Sequence, residues 1–176
     1  MADRISTLEA ELVRHGANDA RRARRFHGLM AAALGLDEEQ WQPWEDELGH
    51  VCDVEQALSS LADLADAAPE TVRGMVADPH QVRRLVRVLG GSAELGKYLT
   101  AHPNALDVLA AEPEQWSAEQ IRTDLLSCVS AIEQDGFLVS QADPARGADE
   151  LRLANRRHLL RIAARYLSHD DPTEVL

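Results

Sequence analysis

The residues most suggestive of chemistry form a glycine-rich stretch at 89–96, with the sequence LGGSAELG. Backbone N–H groups in such turns can bind phosphate. A nucleotidyl-transferring enzyme would also need an Asp-x-Asp pair about ten residues later to hold Mg²⁺. Asp107 lies downstream, but Val108 and Leu109 follow it, so no second carboxylate stands at the required spacing. The stretch also lacks the Lys-Ser/Thr ending of a P-loop, and we predict instead a helix end followed by a helix start.

The histidines and cysteines form no recognisable metal or nucleophile motif. Zinc sites use ligand pairs such as Cys-x-x-Cys or His-x-x-x-His, and neither occurs here. The closest grouping is His50, Cys52 and Asp53, and no Ser-His-Asp or Cys-His arrangement can be nominated from spacing. Cys128, in the apolar stretch LLSCVSAI, is predicted to be a core thiol. We therefore predict no catalytic, cofactor-binding or metal-binding residue in this chain. The other histidines stand at 15, 27, 80, 102, 158 and 169.

Two arginine clusters raise the question of nucleic-acid binding. One comprises Arg21, Arg22, Arg24 and Arg25, and the other Arg83, Arg84 and Arg87. The second follows a break at Asp78-Pro79, so two helices near 70–89 resemble a helix-turn-helix. Residues 37–78, however, contain twelve acidic residues and one basic residue, and this acidic belt would repel phosphate. The arginines are therefore interpreted as a solvated face or as ion-pair partners of the belt.

A third arginine row lies in the stretch ELRLANRRHLLRIAARY, residues 150–166. Arg157, Arg161 and Arg165 recur at every fourth residue and share one side of a helix. Two apolar stripes accompany them, and so much apolar surface predicts burial between other elements. Acidic groups of a neighbouring domain and plain solvation both remain open for the arginine row. The stripes are Leu153, Leu160, Ala164 and Leu167, and Leu151, Leu159, Ile162 and Tyr166.

The elements that would position these residues are helices. Apolar residues recur at helical spacing along most of the chain, whereas strand signals are weak. Asp37 with Gln40 predicts a capping box, weakened by Pro43, and Asp78-Pro79 predicts a helix start. We predict an all-α, multi-helix globular bundle of about eight to ten short and medium helices. Short helices are expected over 104–111 and 117–134, a loop over 135–148, and a long final helix over 148–167.

Composition bounds the class of protein. With 176 residues, 45% of them apolar and 27% charged, the chain is long enough for one domain and too apolar for wholesale disorder. No signal peptide or membrane span is evident, and two cysteines make no disulfide framework. A cytoplasmic location follows as an expectation. A net charge of −12 argues against a general nucleic-acid binder.

Two stretches resemble one known family. LVRVLGGSAELGKYLTAHP, residues 85–103, and LRLANRRHLLRIAARYL, residues 151–167, are similar to segments of the bifunctional glutamine synthetase adenylyltransferase/adenylyl-removing enzymes. Tyr166 stands where the family more often has aspartate. The arginine-rich, lysine-poor composition is typical of an actinobacterial member. The resemblance extends loosely over 54–176. We therefore divide the chain into an N-terminal helical extension, 1–50, and a helical region that resembles the family, 51–176. The alternative is that both belong to one continuous domain.

The resemblance implies a role in nitrogen regulation. Enzymes of this family use two nucleotidyltransferase domains, with ATP or ADP and Mg²⁺, to attach AMP to glutamine synthetase and to remove it, under control of PII-type regulators. The segment resembled is the helical region ahead of the first catalytic domain. The start signal Asp171-Pro172-Thr173-Glu174, with two residues after it, likewise predicts a chain that continues.

We therefore expect a non-catalytic helical fragment of that enzyme, with glutamine synthetase and a PII-type protein as implied partners. The alternative is a free-standing helical module that binds other proteins through the acidic belt or the arginine row. A helix-turn-helix DNA binder is the third hypothesis.

Overall fold

A computed structural model describes residues 2–110, 112 and 114–169. Within them the chain forms ten α-helices, one 3₁₀ turn and a two-stranded sheet, which confirms the predicted all-α bundle. The helices are α1 (Ala2–Arg14), α2 (Ala20–Leu34), α3 (Glu38–Leu48), α4 (Val54–Ala67), α5 (Pro69–Met75), α6 (Pro79–Gly91), α7 (Ala93–Ala101), α8 (Asp107–Ala110), α9 (Ala118–Cys128) and α10 (Pro144–Ser168). The 3₁₀ turn is Pro103–Leu106, and the strands are β1 (Ile132–Gln134) and β2 (Phe137–Val139).

Several helices begin where their capping residues predict. Asp37 accepts a hydrogen bond from the Gln40 N–H at 2.9 Å, and the Gln40 side chain accepts one from the Asp37 N–H at 3.1 Å. Helix α3 then runs to Leu48 although it contains Pro43. At α6, Asp78 accepts from the His80 N–H at 2.9 Å and Pro79 occupies the first turn, where its missing N–H costs no helical hydrogen bond.

The hydrophobic core is continuous from Leu12 on α1 to Ala164 on α10. Helix α4 lies at its centre and packs against α2, α6 and α7, while α6 packs in addition against α3 and α10. Helices from 1–50 and from 51–176 thus share one core, and the division at residue 50 stays a prediction about the sequence.

The region between α9 and α10 differs from our prediction. We expected helix to 134 and a loop from 135, but α9 ends at Cys128 and an antiparallel hairpin follows, pairing Ile132 with Val139 and Gln134 with Phe137. Its turn is Asp135-Gly136, with φ of 51° and 79°. Two consecutive residues at positive φ match the twist of a tight hairpin, and Asp-Gly favours that conformation.

Helix α10 begins four residues earlier than expected, at Pro144 instead of 148. The Asp143 carboxylate accepts hydrogen bonds from the Ala145 and Arg146 N–H groups at 3.1 and 3.2 Å. Asp143-Pro144 is therefore the same start signal that Asp78-Pro79 provides for α6. The signal expected at 171–174 lies outside the described residues.

Within the described ranges, none of the helices has both the length and the apolar character that crossing a bilayer requires.

Candidate functional site

The close approach of helices around α6 explains the glycine-rich stretch. Helix α6 ends at Gly91, and the Ser92 hydroxyl caps α7 by accepting from the Leu95 N–H at 3.3 Å. The stretch is thus a helix end followed by a helix start, as predicted. A Cβ at Gly90 would lie 2.6 Å from the Val51 Cβ, and one at Gly91 would lie 2.8 Å from a Leu167 methyl carbon. These glycines allow helix packing.

The α6 arginines bind acceptors inside the protein. Glu47 on α3 accepts hydrogen bonds from Arg83 Nε and Arg87 Nε, each at 2.8 Å, and the Glu47 and Arg87 side chains are both buried. Arg87 also donates to the Leu167 carbonyl at 3.3 Å, while Arg84 Nε donates to the Leu109 carbonyl at 2.8 Å. For Arg83 and Arg87 this confirms the interpretation as ion-pair partners of the acidic belt.

The burial of α6 argues against the helix-turn-helix hypothesis. A recognition helix must present a free face to the major groove. In α6 the buried residues are Val82, Arg84, Leu85, Val86, Arg87, Val88, Leu89 and Gly90. This helix is a core element, and each of its three arginines donates a hydrogen bond to an acceptor inside the protein. The N-terminal arginines have internal contacts as well, since Arg24 pairs with Glu9 at 3.2 Å and Arg22 lies over the Phe26 ring at 5.5 Å.

The α10 arginine row is divided among different surroundings. Arg157 pairs with Asp107 of α8 at 2.6 Å, with both side chains about half-exposed. The Arg161 guanidinium lies 4.1 Å from the Trp116 ring centroid, and its Nη1 donates to His158 Nδ1 at 2.9 Å. Part of the row is therefore used inside the chain, which neither of our alternatives, a neighbouring domain or solvent, anticipated.

His158 lies between two charged groups. Its Nδ1 lies 2.9 Å from Arg161 Nη1, and its Nε2 lies 2.9 Å from Asp124 Oδ2. The residue is 4% exposed and its ring lies against Trp116. Burial and the charge of Arg157 lower the pKa of the Arg161 guanidinium from its usual value, but it stays protonated at neutral pH. This cluster attaches α9 and the Trp116 segment to α10.

The two apolar stripes of α10 have different fates. Leu160 and Ala164 are fully buried, and Leu153 and Leu167 pack against the core. The second stripe, which we call the outer face of α10, consists of Leu151, Leu159, Ile162 and Tyr166. These side chains are 38%, 49%, 45% and 43% exposed. At about 100° per residue they lie within an arc of roughly 80°, nearly opposite the buried stripe. Our prediction that both stripes are buried is wrong for the outer face within the described residues.

A concave region borders the outer face. Ile162 and Tyr166 line a cavity of about 260 Å³ together with Trp116, Ile121 and Arg161. Exposed apolar side chains beside a cavity lined by aromatic residues are typical of surfaces that bind another polypeptide. Of the large apolar residues exposed in the described chain, most lie between 132 and 166.

The hairpin adds a second apolar surface. Ile132, Phe137 and Val139 share one face of the β1–β2 ribbon because side chains alternate along each strand. Phe137 is 74% exposed. This surface was not predicted, because we expected a helix to residue 134 and a loop from residue 135.

The cysteines and the other candidate ligands remain dispersed. Cys52 is exposed and Cys128 is half-buried on α9, so the prediction of Cys128 as a core thiol is wrong. Burial first, then the charges of Asp124 and Glu150, raise the pKa of the Cys128 thiol, which disfavours the reactive thiolate. In the part of the chain that the structure describes, no three His, Cys, Asp or Glu side chains are grouped closely enough to hold a metal ion.

Comparison with known proteins gives a consistent result over nearly the whole chain. A bifunctional glutamine synthetase adenylyltransferase/adenylyl-removing enzyme of Cutibacterium acnes is 38% identical over 174 residues, 99% of this chain and 18% of that protein. Proteins of the same name from Bifidobacterium longum subsp. infantis and Bifidobacterium longum DJO10A are 31% and 29% identical over 172 residues, 94% of this chain and 16% of each relative. The chain is homologous to a segment of this bifunctional enzyme.

The chain spans less than a fifth of the length of the relatives it matches. No family model matches it, and no solved structure gives a significant match. The two stretches that resemble the bifunctional enzyme, 85–103 and 151–167, lie in α6–α7 and in α10, which pack against each other. Tyr166, the position that departs from the family pattern, lies on the outer face of α10.

Proposed function

We propose that this chain is a non-catalytic helical scaffold of the bifunctional enzyme that adenylylates and deadenylylates glutamine synthetase. Its structural task is to support the rest of that enzyme through the outer face of α10. The observation that carries the proposal is the position of this face, nearly opposite the stripe of α10 that is buried in the chain's own core. A helix with apolar residues on two opposite sides is suited to lie between two packed bodies.

The length of the relatives supports this occupant. The matched proteins are more than five times longer than the segment they share with this chain, so a large amount of polypeptide is available to cover the outer face. Tyr166 is a residue type that often dominates binding energy in protein interfaces, and Leu159 and Ile162 add apolar contact area. The neighbouring cavity provides a pocket for a partner side chain.

We place the catalytic carboxylate pair, the Mg²⁺ ion and the ATP or ADP site in another part of the enzyme. The described residues of this chain contain no group of metal ligands, and the glycine-rich stretch serves helix packing. Glutamine synthetase and a PII-type regulator are the partners proposed for the whole enzyme, in the cytoplasm.

The catalytic part of the proposal is tested with the purified chain. Incubation with adenylylated glutamine synthetase, inorganic phosphate and Mg²⁺ should release no ADP, because we place the groups that carry out phosphorolysis in another part of the enzyme. The complete Cutibacterium acnes relative, assayed in parallel, controls for substrate quality. ADP release by this chain above the buffer rate would overturn the non-catalytic role.

A further inference from the structure

A second cavity, of about 190 Å³, lies between α6 and α10 and has an unusual charge balance. Among the described residues, its ionisable lining consists of Arg83, Arg84, Arg165, His80, His169 and a single carboxylate, Glu112. The Glu112 side chain is 75% exposed and pairs with His169 at 3.6 Å. We call this the basic cavity. It stands out in a chain whose net charge is −12.

Arg84 is the residue that makes the basic cavity a built site. The residue is only 6% exposed, and its Nε donates to the Leu109 carbonyl at 2.8 Å, which fixes the guanidinium. Within the described part of the chain the Nη groups of Arg84 have no hydrogen-bond acceptor. These groups are not fully enclosed by the protein. Arg84 lines the basic cavity, where these donors are available to a ligand in addition to the electrostatic interaction of Arg84 with Asp78. A buried guanidinium with unused donors is stabilised by an anion that accepts from them.

Arg165 approaches the basic cavity from α10. It is half-buried, and within the described residues it makes no hydrogen bond or ion pair. Arg83 already donates to Glu47, so Arg84 and Arg165 are the two residues proposed to bind a ligand. Their guanidiniums come from two different helices and can bind one anion from two sides.

We propose that the basic cavity binds a phosphate group. The shared ligand chemistry is a tetrahedral oxyanion, which offers acceptors in several directions to guanidinium forks arriving from separate helices. A planar carboxylate, with two oxygens, matches one such fork. The proposal is independent of the scaffold role, because the basic cavity is formed by different residues from the outer face of α10.

The test is calorimetric titration of the 176-residue chain with inorganic phosphate at constant ionic strength. We expect saturable binding at one site. Because the net negative charge of the protein repels phosphate, such binding would be due to a specific site. Arg165→Gln should weaken the affinity about tenfold, the loss of one charge-assisted contact. Arg84→Lys, which keeps the charge and removes the fork, is a second variant and should weaken binding as well.

Arg152→Gln is the matched control. It removes the same charge from the same helix, but Arg152 is 71% exposed, pairs with Asp149 and lies outside the basic cavity. Phosphate affinity should be unchanged in this variant. Titration with glycerol 3-phosphate distinguishes the sources: tighter binding than inorganic phosphate assigns a phosphorylated metabolite, and weaker binding assigns the free ion. Absence of saturable binding, equal weakening in Arg152→Gln and Arg165→Gln, or equal affinity for acetate would overturn the proposal.

Discussion

Glu47 connects three helices through charge. It lies on α3, accepts from two α6 arginines, and through Arg87 is linked to the C-terminal end of α10. Burying charges is costly unless they are paired and hydrogen-bonded. Glu47 and Arg87 are both largely removed from solvent. Loss of either side chain would leave the other charge buried without its partner.

Replacing Glu47 by Ala should therefore destabilise the chain by about 3 kcal/mol, because two guanidiniums lose a shared carboxylate in a buried setting. The free energy of unfolding from urea titration measures this. Glu70→Ala is the control, since Glu70 is 84% exposed and pairs with Arg73 along one helix. It should cost less than about 1 kcal/mol. Similar losses in the two variants would contradict the role assigned to Glu47.

At the scale of elements, α10 performs two tasks with one sequence. Its Leu160 and Ala164 side complete the core beside α6, while its outer face remains uncovered within the described residues. Leu159 and Leu160 are adjacent and of the same residue type, they point about 100° apart around the helix axis, and only Leu160 is buried. They form a matched pair for separating core packing from surface exposure.

Leu160→Ala should lower the free energy of unfolding of this chain by about 3 kcal/mol, because it leaves a cavity at a fully buried site. Leu159→Ala should change it by less than about 1 kcal/mol, since that side chain is 49% exposed. Urea unfolding of the two variants gives the comparison. If Leu159→Ala costs as much as Leu160→Ala, the outer face is part of the chain's own core and the scaffold proposal loses its basis.

Local signals explain how much of this architecture could be predicted. Asp37 with Gln40 and Asp78 with Pro79 act within three residues, so the sequence alone locates α3 and α6. The same reasoning applied to Asp143-Pro144 would have located the start of α10, and Asp135-Gly136 would have indicated the hairpin.

What the sequence did not provide depends on contacts distant along the chain. Glu47 could not be distinguished by sequence from the other acidic residues of the belt, and its burial depends on arginines 36 and 40 residues away. The stacking of Arg161 on Trp116 likewise requires the turn of the chain through the hairpin. Periodicity showed that α10 has two apolar stripes, but only packing decides which stripe faces the core.

At the scale of the whole molecule, one continuous core holds the described helices other than α9 together, and exposed apolar side chains are concentrated on one helix and one hairpin. The chain is homologous to a segment of a much longer enzyme, and we propose that the remainder of that enzyme covers this apolar surface. Arg165 lines both the basic cavity and the cavity beside the outer face, whereas Arg84 lines only the basic cavity, so Arg84→Lys tests ligand binding separately from docking.

The most direct test of the scaffold role is hydroxyl-radical footprinting of the isolated chain and of a complete enzyme that contains it. We expect labelling of Tyr166, Ile162 and Leu159 to fall several-fold in the complete enzyme. Val13 and Leu29, which are 56% and 51% exposed elsewhere on the chain, serve as internal references and should be labelled equally in both. Equal labelling of the outer face of α10 in the two proteins would contradict the account.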